Sequence, residues 1–158
     1  MSGIAPFFDD TGISDDEELY RRIRPDIVHW SLADNGVPPV PRQGFQDYPA
    51  EKAQREFNLP GACMSVDRNL VLVERGHSVE TLVEGYESYG VVSIEAGAVR
   101  SLKGPKGEDY SQGVMANPRP SAPWHAVVFC RAGGKKSKGM ENALARIARW
   151  VILPARPA

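Results

Sequence analysis

The stretch from residue 122 to residue 145, APWHAVVFCRAGGKKSKGMENALA, constrains the fold more than any other part of the chain. Its β-branched and aromatic start predicts a strand over 124–130, and two consecutive glycines then predict a turn. Apolar residues at helical spacing predict a helix over 140–150. This order places lysines and free backbone N–H groups beyond the end of a strand, which makes the segment a candidate anion-facing surface.

The remaining patterns predict short helices and strands separated by many glycines and prolines. Ser14 and Glu17 form a capping box, which predicts a first helix that runs to about Tyr20. Further helices are predicted over 50–57, 78–83 and 96–102, strands over 62–66, 91–94, 113–117 and 150–153, and either a strand or a helix start over 70–73. Residues 29–49 hold too many breakers for a long element and are interpreted as an irregular loop.

The fold class that follows is α+β: a single domain with a small mixed β-sheet and three to four helices. A chain of 158 residues can bury roughly 70% of its unfolded surface in one core. We therefore assign residues 1–158 to one domain, with 1–13 expected to be mobile and 154–158 to form a tail.

The two cysteines, Cys63 and Cys130, each lie in an apolar stretch and are predicted to be buried free thiols. No signal peptide pattern precedes them and no apolar run is long enough to span a bilayer, so we expect a cytoplasmic protein without a membrane partner. No Cys/His spacing resembles a zinc site, and we expect neither a metal nor a cofactor.

Charge is unevenly distributed although the formal net charge is only −1. Residues 1–20 carry six acids and neither lysine nor arginine, whereas residues 131–158 carry seven basic residues and the single acid Glu141. The two ends can attract one another, engage two different partners, or form two solvated faces.

His125 is the candidate catalytic residue. Strand alternation places it on the same face as Val127 and Phe129, where it can face a pocket and exchange protons near neutral pH. The alternative is a structural histidine bonded to the backbone.

Two cationic clusters are candidates for binding an anion or a partner. The first follows the strand of His125 and comprises Lys135, Lys136 and Lys138. Its glycines and lysines do not have the spacing of a Walker A loop. The alternative to an anion-binding cluster is an exposed basic loop. The second comprises Arg21, Arg22 and Arg24. These arginines can bind a phosphate or carboxylate group, or they can form ion pairs with the acidic residues just upstream. Ser65 interrupts an apolar strand, but no GxSxG motif surrounds it.

Four segments in this order, LYRRI at 19–23, CMSVD at 63–67, GVVSIEAGAVRSL at 90–102 and WHAVVF at 124–129, resemble a set of small uncharacterised bacterial proteins. The resemblance covers most of the chain and implies a bacterial protein, but it implies no activity.

Three functional hypotheses follow. The first is a binding or accessory protein of a bacterial multi-component system, of a defence or toxin-related kind, that engages a protein partner through its polarised charges. The second is an enzyme acting on a phosphate-containing small molecule or on RNA, with His125 as acid or base; it requires His125 to lie within about 10 Å of a cationic cluster. The third is nonspecific nucleic-acid binding.

Overall fold

A single six-stranded sheet organises the chain in the computed structural model, which describes residues 4–157. The strands are β1 (Glu18–Ile23), β2 (Met64–Arg68), β3 (Gly90–Glu95), β4 (Gln112–Ala116), β5 (His125–Cys130) and β6 (Arg149–Ile152). The α-helices are α1 (Ala50–Phe57), α2 (Asn69–Glu74), α3 (Ala96–Arg100) and α4 (Lys138–Ile147). The predicted α+β class is confirmed.

The strand order is β4-β5-β2-β1-β3-β6, and each of the five pairings is antiparallel. The sheet is therefore not the mixed one that the sequence predicted. A mixed sheet contains at least one parallel pair of neighbouring strands, and such a pair needs a long crossover connection. Within residues 4–157 every pair of neighbouring strands runs in opposite directions.

The main core lies on one face of the sheet. Leu19 and Ile23 of β1, Val66 of β2 and Val128 of β5 are almost completely buried there, and Leu144 packs on them from α4. Alternation along the strands sends the other half of the side chains to the opposite face.

The opposite face is covered only in part, by two smaller apolar clusters. One joins Ala53 of α1 to Val127 and Phe129 of β5. The other joins Leu72 of α2 to Val91 of β3. The space between these clusters, over the middle of the sheet, is where polar side chains of β1, β2 and β5 lie.

The two central strands separate at this place. β1 and β2 are paired only at Leu19 with Arg68 and at Tyr20 with Asp67. Beyond that point the Arg21 side chain replaces the strand ladder, since its Nη1 donates to the Ser65 carbonyl oxygen at 2.9 Å and its Nε donates to that of Gly44 at 2.8 Å. The separation leaves room for a cavity in the centre of the sheet.

The predicted first helix is wrong. The chain turns at Ser14, whose hydroxyl donates to Asp16 at 2.6 Å instead of capping a helix, and β1 then begins at Glu18. Leu19 and Ile23 fit a period of two, and β1 pairs with β3 along its whole length. This tertiary pairing outweighs the local capping signal.

The segment before β1 contacts the sheet in its described part. The Phe7 ring stacks on Phe129 with centroids 4.5 Å apart, and Ile13 is buried. The segment predicted to be mobile, residues 1–13, includes residues 1–3, and the predicted tail, residues 154–158, includes residue 158. Residues 1–3 and residue 158 lie outside the described residues.

Gly113 of β4 permits the Phe129 ring to cross the strand, because a Cβ at this position would lie 2.1 Å from that ring.

Other elements follow the sequence patterns closely. Helix α1 has the predicted bounds, residues 70–73 belong to α2, and residues 79–83 form a 3₁₀ helix where an α-helix was predicted. Cys63 and Cys130 are buried and free, as predicted. Within residues 4–157, every helix is too short or too polar to cross a bilayer.

Candidate active site

A cavity of about 330 Å³ opens where β1 and β2 separate, between the two small apolar clusters. We call it the His125 cavity. Its polar walls come from β1, β2, β5 and the turn before β5, and its aromatic wall comes from the end of α1 and the segment before α1. The charged, aromatic and hydroxyl-bearing side chains that line it include Arg21, Arg22, Tyr48, Phe57, Ser65, Asp67, Arg119 and His125.

Hydrogen bonds fix the tautomer of His125. Its Nδ1 lies 2.9 Å from the carbonyl oxygen of Asn117, and a carbonyl oxygen can only accept, so Nδ1 carries the proton. Nε2 is then the unprotonated nitrogen, and it accepts from the Ser65 hydroxyl group at 2.9 Å. His125 thus presents a basic nitrogen to a hydroxyl group that lines the cavity.

Burial moves the pKa values of His125 and Asp67 in opposite directions. His125 is only 8% exposed, and burial lowers its pKa, to which the nearby Arg119 and Arg22 charges add. Burial raises the pKa of Asp67 to about 6, although Arg22 and Arg21 oppose that rise. The histidine is therefore unprotonated near neutral pH and can accept a proton, and the carboxyl group keeps its proton to a higher pH than an ordinary aspartate does.

Asp67 lies directly across from His125 in the pairing of β2 with β5. Paired residues of neighbouring strands project from the same face of a sheet, and both of these side chains line the His125 cavity. The acid and the base are thus held on a rigid scaffold.

The arginines that line the cavity form no direct ion pair among the described residues. Within residues 4–157, no carboxylate lies within 4.0 Å of the guanidinium groups of Arg21, Arg22 or Arg119. Arg21 is committed to the two backbone carbonyl groups at the strand separation, whereas Arg22 is exposed. The cavity therefore offers guanidinium groups to an anion.

An aromatic wall stands beside these charges. The Phe57 ring stacks on the His125 imidazole with centroids 5.1 Å apart, and the Arg119 guanidinium lies over Phe57 at 5.1 Å from its centroid. Arg119 is further held by donating to the Glu56 carbonyl oxygen at 2.9 Å. The wall can pack against an apolar or planar part of a ligand while Arg119 faces its charge.

The structure brings only one of the two predicted cationic clusters to His125. Arg21 and Arg22 line its cavity, as the enzyme hypothesis requires. Arg24 does not; it is exposed and pairs with Asp26 at 3.5 Å. The predicted pairing of these arginines with the upstream acids is absent from the described residues, because those acids have other partners.

The predicted lysine cluster is divided. Lys135 borders a separate cavity beside Phe7, and Lys138 is exposed at the start of α4. Lys136 neither faces an anion nor lies exposed in a basic loop, since its side chain is fully buried in an ion pair with Asp47. Lys136 is therefore not accessible to a ligand or a partner.

Several charges of the two polarised ends pair within the chain. Asp9 contacts Arg131, and Glu18 lies 3.6 Å from Arg149. Of the three outcomes that the sequence left open, attraction between the ends is thus present at these contacts.

Sequence reasoning missed several residues of the cavity, among them four that bear on its chemistry: Tyr48, Phe57, Asp67 and Arg119. Asp67 carries a local signal, because a carboxylate two residues after Ser65 on one strand shares its face. The other three come from irregular segments or a helix end, where no periodicity relates them to His125.

Comparison with models of protein families, with curated proteins and with solved structures finds no match for this chain. The site is therefore interpreted from its own geometry. The described residues contain no group of three or more histidine, cysteine, aspartate or glutamate side chains arranged to hold a metal ion.

The raised pKa of Asp67 makes a prediction about stability. In the folded protein Asp67 keeps its proton up to about pH 6, whereas the unfolded chain loses it near pH 4, so its contribution to stability falls as the pH rises through this range. We expect the unfolding free energy of the wild type, relative to Asp67→Asn, to fall by about 2–3 kcal/mol between pH 4 and pH 7. Urea denaturation of both proteins at the two pH values measures this. A constant difference would show that folding does not raise the pKa of Asp67.

Proposed function

We propose that this protein is an enzyme that acts on a small molecule bearing a phosphate group, with His125 as its general base. The observation that carries the proposal is that the Ser65–His125 hydrogen bond shares one cavity with Arg22 and Arg119, which form no ion pair within residues 4–157. Guanidinium groups bind phosphate through charge-assisted, often bidentate, hydrogen bonds.

The size of the cavity favours a small molecule over RNA. At about 330 Å³ it lies at the lower end of the range of small-molecule sites, which is roughly 300–1,000 Å³. Its walls combine a few polar groups with the aromatic rings of Tyr48 and Phe57, which is the usual composition of such sites.

The hypothesis of a protein partner remains a prediction. It rested on polarised charge, and part of that charge is engaged in the pairs of Asp9 and Glu18 and in the buried pair of Lys136. Nonspecific nucleic-acid binding also remains a prediction and depends on the exposed Lys135 and Lys138. A bacterial origin and a cytoplasmic location belong to the proposal as well; the free thiols of Cys63 and Cys130 are typical of a reducing compartment.

Binding of inorganic phosphate, measured by calorimetry at fixed ionic strength, tests the proposed site. We expect Arg22→Ala and Arg119→Ala each to weaken binding about 10- to 100-fold, because each removes a hydrogen bond to a charged group. Arg146→Ala is the matched control, since it removes an exposed arginine from α4, outside the cavity. Equal effects of all three substitutions would mean that phosphate senses only the net charge, and the proposed site would be rejected.

A further inference from the structure

Ser65 is held in the cavity by two hydrogen bonds, one from its side chain and one to its backbone. Its hydroxyl group donates to His125 Nε2 at 2.9 Å, and its carbonyl oxygen accepts from Arg21 Nη1 at 2.9 Å. It lies on β2, one of the two central strands, and is half-buried at the cavity wall. A hydroxyl group held against an unprotonated imidazole is the arrangement that activates a serine as a nucleophile.

Asn117 completes this arrangement. By accepting the Nδ1 proton of His125, its carbonyl oxygen keeps Nε2 free to take the Ser65 proton. The side-chain oxygen of Asn117 lies 3.1 Å from the same nitrogen and stabilises the imidazolium that forms. This is the role that a third group plays in a hydrogen-bonded catalytic triad.

The spacing of Ser65 and Asp67 fits an in-line displacement. Residues two apart on a strand project from the same face about 7 Å from each other. A phosphoryl group between them would meet the Ser65 oxygen on one side and present its leaving oxygen to the Asp67 carboxyl group on the other. Arg22 and Arg119, which line the same cavity, would face its remaining oxygens.

We propose that Ser65 is the nucleophile of a phosphomonoester hydrolase and is transiently phosphorylated. This inference rests on the proposed function. In the first step the Ser65 Oγ–P bond forms as the bond from phosphorus to the ester oxygen breaks. His125 Nε2 takes the serine proton, and the Asp67 carboxyl group gives its proton to the departing alcohol.

The second step restores the site. Water attacks the phosphoseryl group and loses a proton to the Asp67 carboxylate, the Oγ–P bond breaks, and Ser65 regains its proton from the His125 imidazolium. The sum is phosphomonoester plus water giving alcohol plus phosphate, so no oxidant, reductant or second substrate is needed.

Heavy-oxygen exchange tests this inference without knowledge of the natural alcohol. Run in reverse, the second step lets Ser65 expel water from inorganic phosphate, so repeated reversal replaces labelled phosphate oxygens by solvent oxygen. We expect the wild-type protein to exchange the label, as followed by phosphorus NMR. Acid-quenched protein is expected to carry one acid-stable phosphoryl group on Ser65, as located by mass spectrometry.

Two serine variants distinguish the role of the Ser65 hydroxyl group in oxygen exchange from phosphate binding by the rest of the site. Ser65→Ala is expected to lower exchange by at least about 10³-fold while still binding inorganic phosphate. Ser93→Ala is the matched control, because Ser93 is also a serine in an apolar strand but its hydroxyl group donates to Glu18, and we expect its exchange to equal that of the wild type.

Three results would overturn the inference. Wild-type protein that binds phosphate but neither exchanges oxygen nor carries phosphoserine has no such nucleophile, although the proposed anion site would stand. Exchange that persists in Ser65→Ala would assign the attack to water or to another residue, and an acid-labile phosphoryl group on His125 would make the histidine the nucleophile. Failure of the wild type to bind phosphate at all would reject the proposed function itself.

Discussion

Replacing Lys136 with alanine is expected to lower the free energy of unfolding by about 3–5 kcal/mol, because the substitution leaves the Asp47 carboxylate buried without its partner. Both side chains are fully buried. Asp47 also accepts from the Lys136 backbone N–H at 2.7 Å, so it ties the turn before α4 to the segment before α1. Burial lowers the pKa of Lys136, and the adjacent Asp47 carboxylate opposes this shift.

Chemical denaturation of Lys136→Ala and Lys135→Ala measures this effect. Lys135 is the neighbouring residue of the same type and is exposed, so its substitution is expected to change stability by no more than about 0.5 kcal/mol. The double variant Asp47→Leu with Lys136→Met is expected to be more stable than Lys136→Ala, because neither charge is then left unpaired. Similar losses for Lys135→Ala and Lys136→Ala would contradict the buried pair.

Replacing His125 with glutamine is expected to lower kcat/KM for hydrolysis of p-nitrophenyl phosphate by about 10²- to 10⁴-fold, the usual contribution of a general base. Glutamine keeps polar atoms near Ser65 and Asn117 but cannot take a proton at neutral pH. The loss should lie mainly in kcat, because Arg22 and Arg119 still hold the phosphate group.

His77→Gln is the matched control for His125→Gln. His77 is exposed and contacts Trp124 outside the cavity, so we expect wild-type hydrolysis from this variant. If His125→Gln retained full activity and stability, His125 would be neither the base nor a structural residue of the site.

The strand β5 and the helix α1 could be predicted from sequence because their signals are local. The strand over 124–130 combines β-branched residues with alternation, and α1 is bounded by Pro49 and by Asn58, which adopts a left-handed conformation with φ 54°. The start of β1 could not be predicted, since the capping box at Ser14 and Glu17 favours a helix locally. Glu17 instead pairs with Arg68, 51 residues further on, at 2.7 Å.

The site could be predicted only in part, because the contacts that assemble it join residues far apart in the sequence. His125 and Arg22 were identified by residue type, but their proximity depends on β1 and β5 flanking β2 in the sheet. The place of Lys136 was mistaken because its partner Asp47 lies 89 residues earlier, in a loop with no regular pattern. Residue chemistry limits the candidates, and long-range pairing decides which of them meet.

The pKa of His125 with and without phosphate tests most directly the claim that this histidine and the arginines form one anion site. In the free protein we expect a pKa below the ordinary value, because burial and the Arg119 and Arg22 charges disfavour the imidazolium. Saturating phosphate should raise it, since a bound anion offsets those charges and favours the charged ring. Proton NMR titration of the three histidines measures this, and the resonances of His29 and His77 should not respond to phosphate. A His125 pKa that stays the same while phosphate binds would place the anion elsewhere and contradict the account.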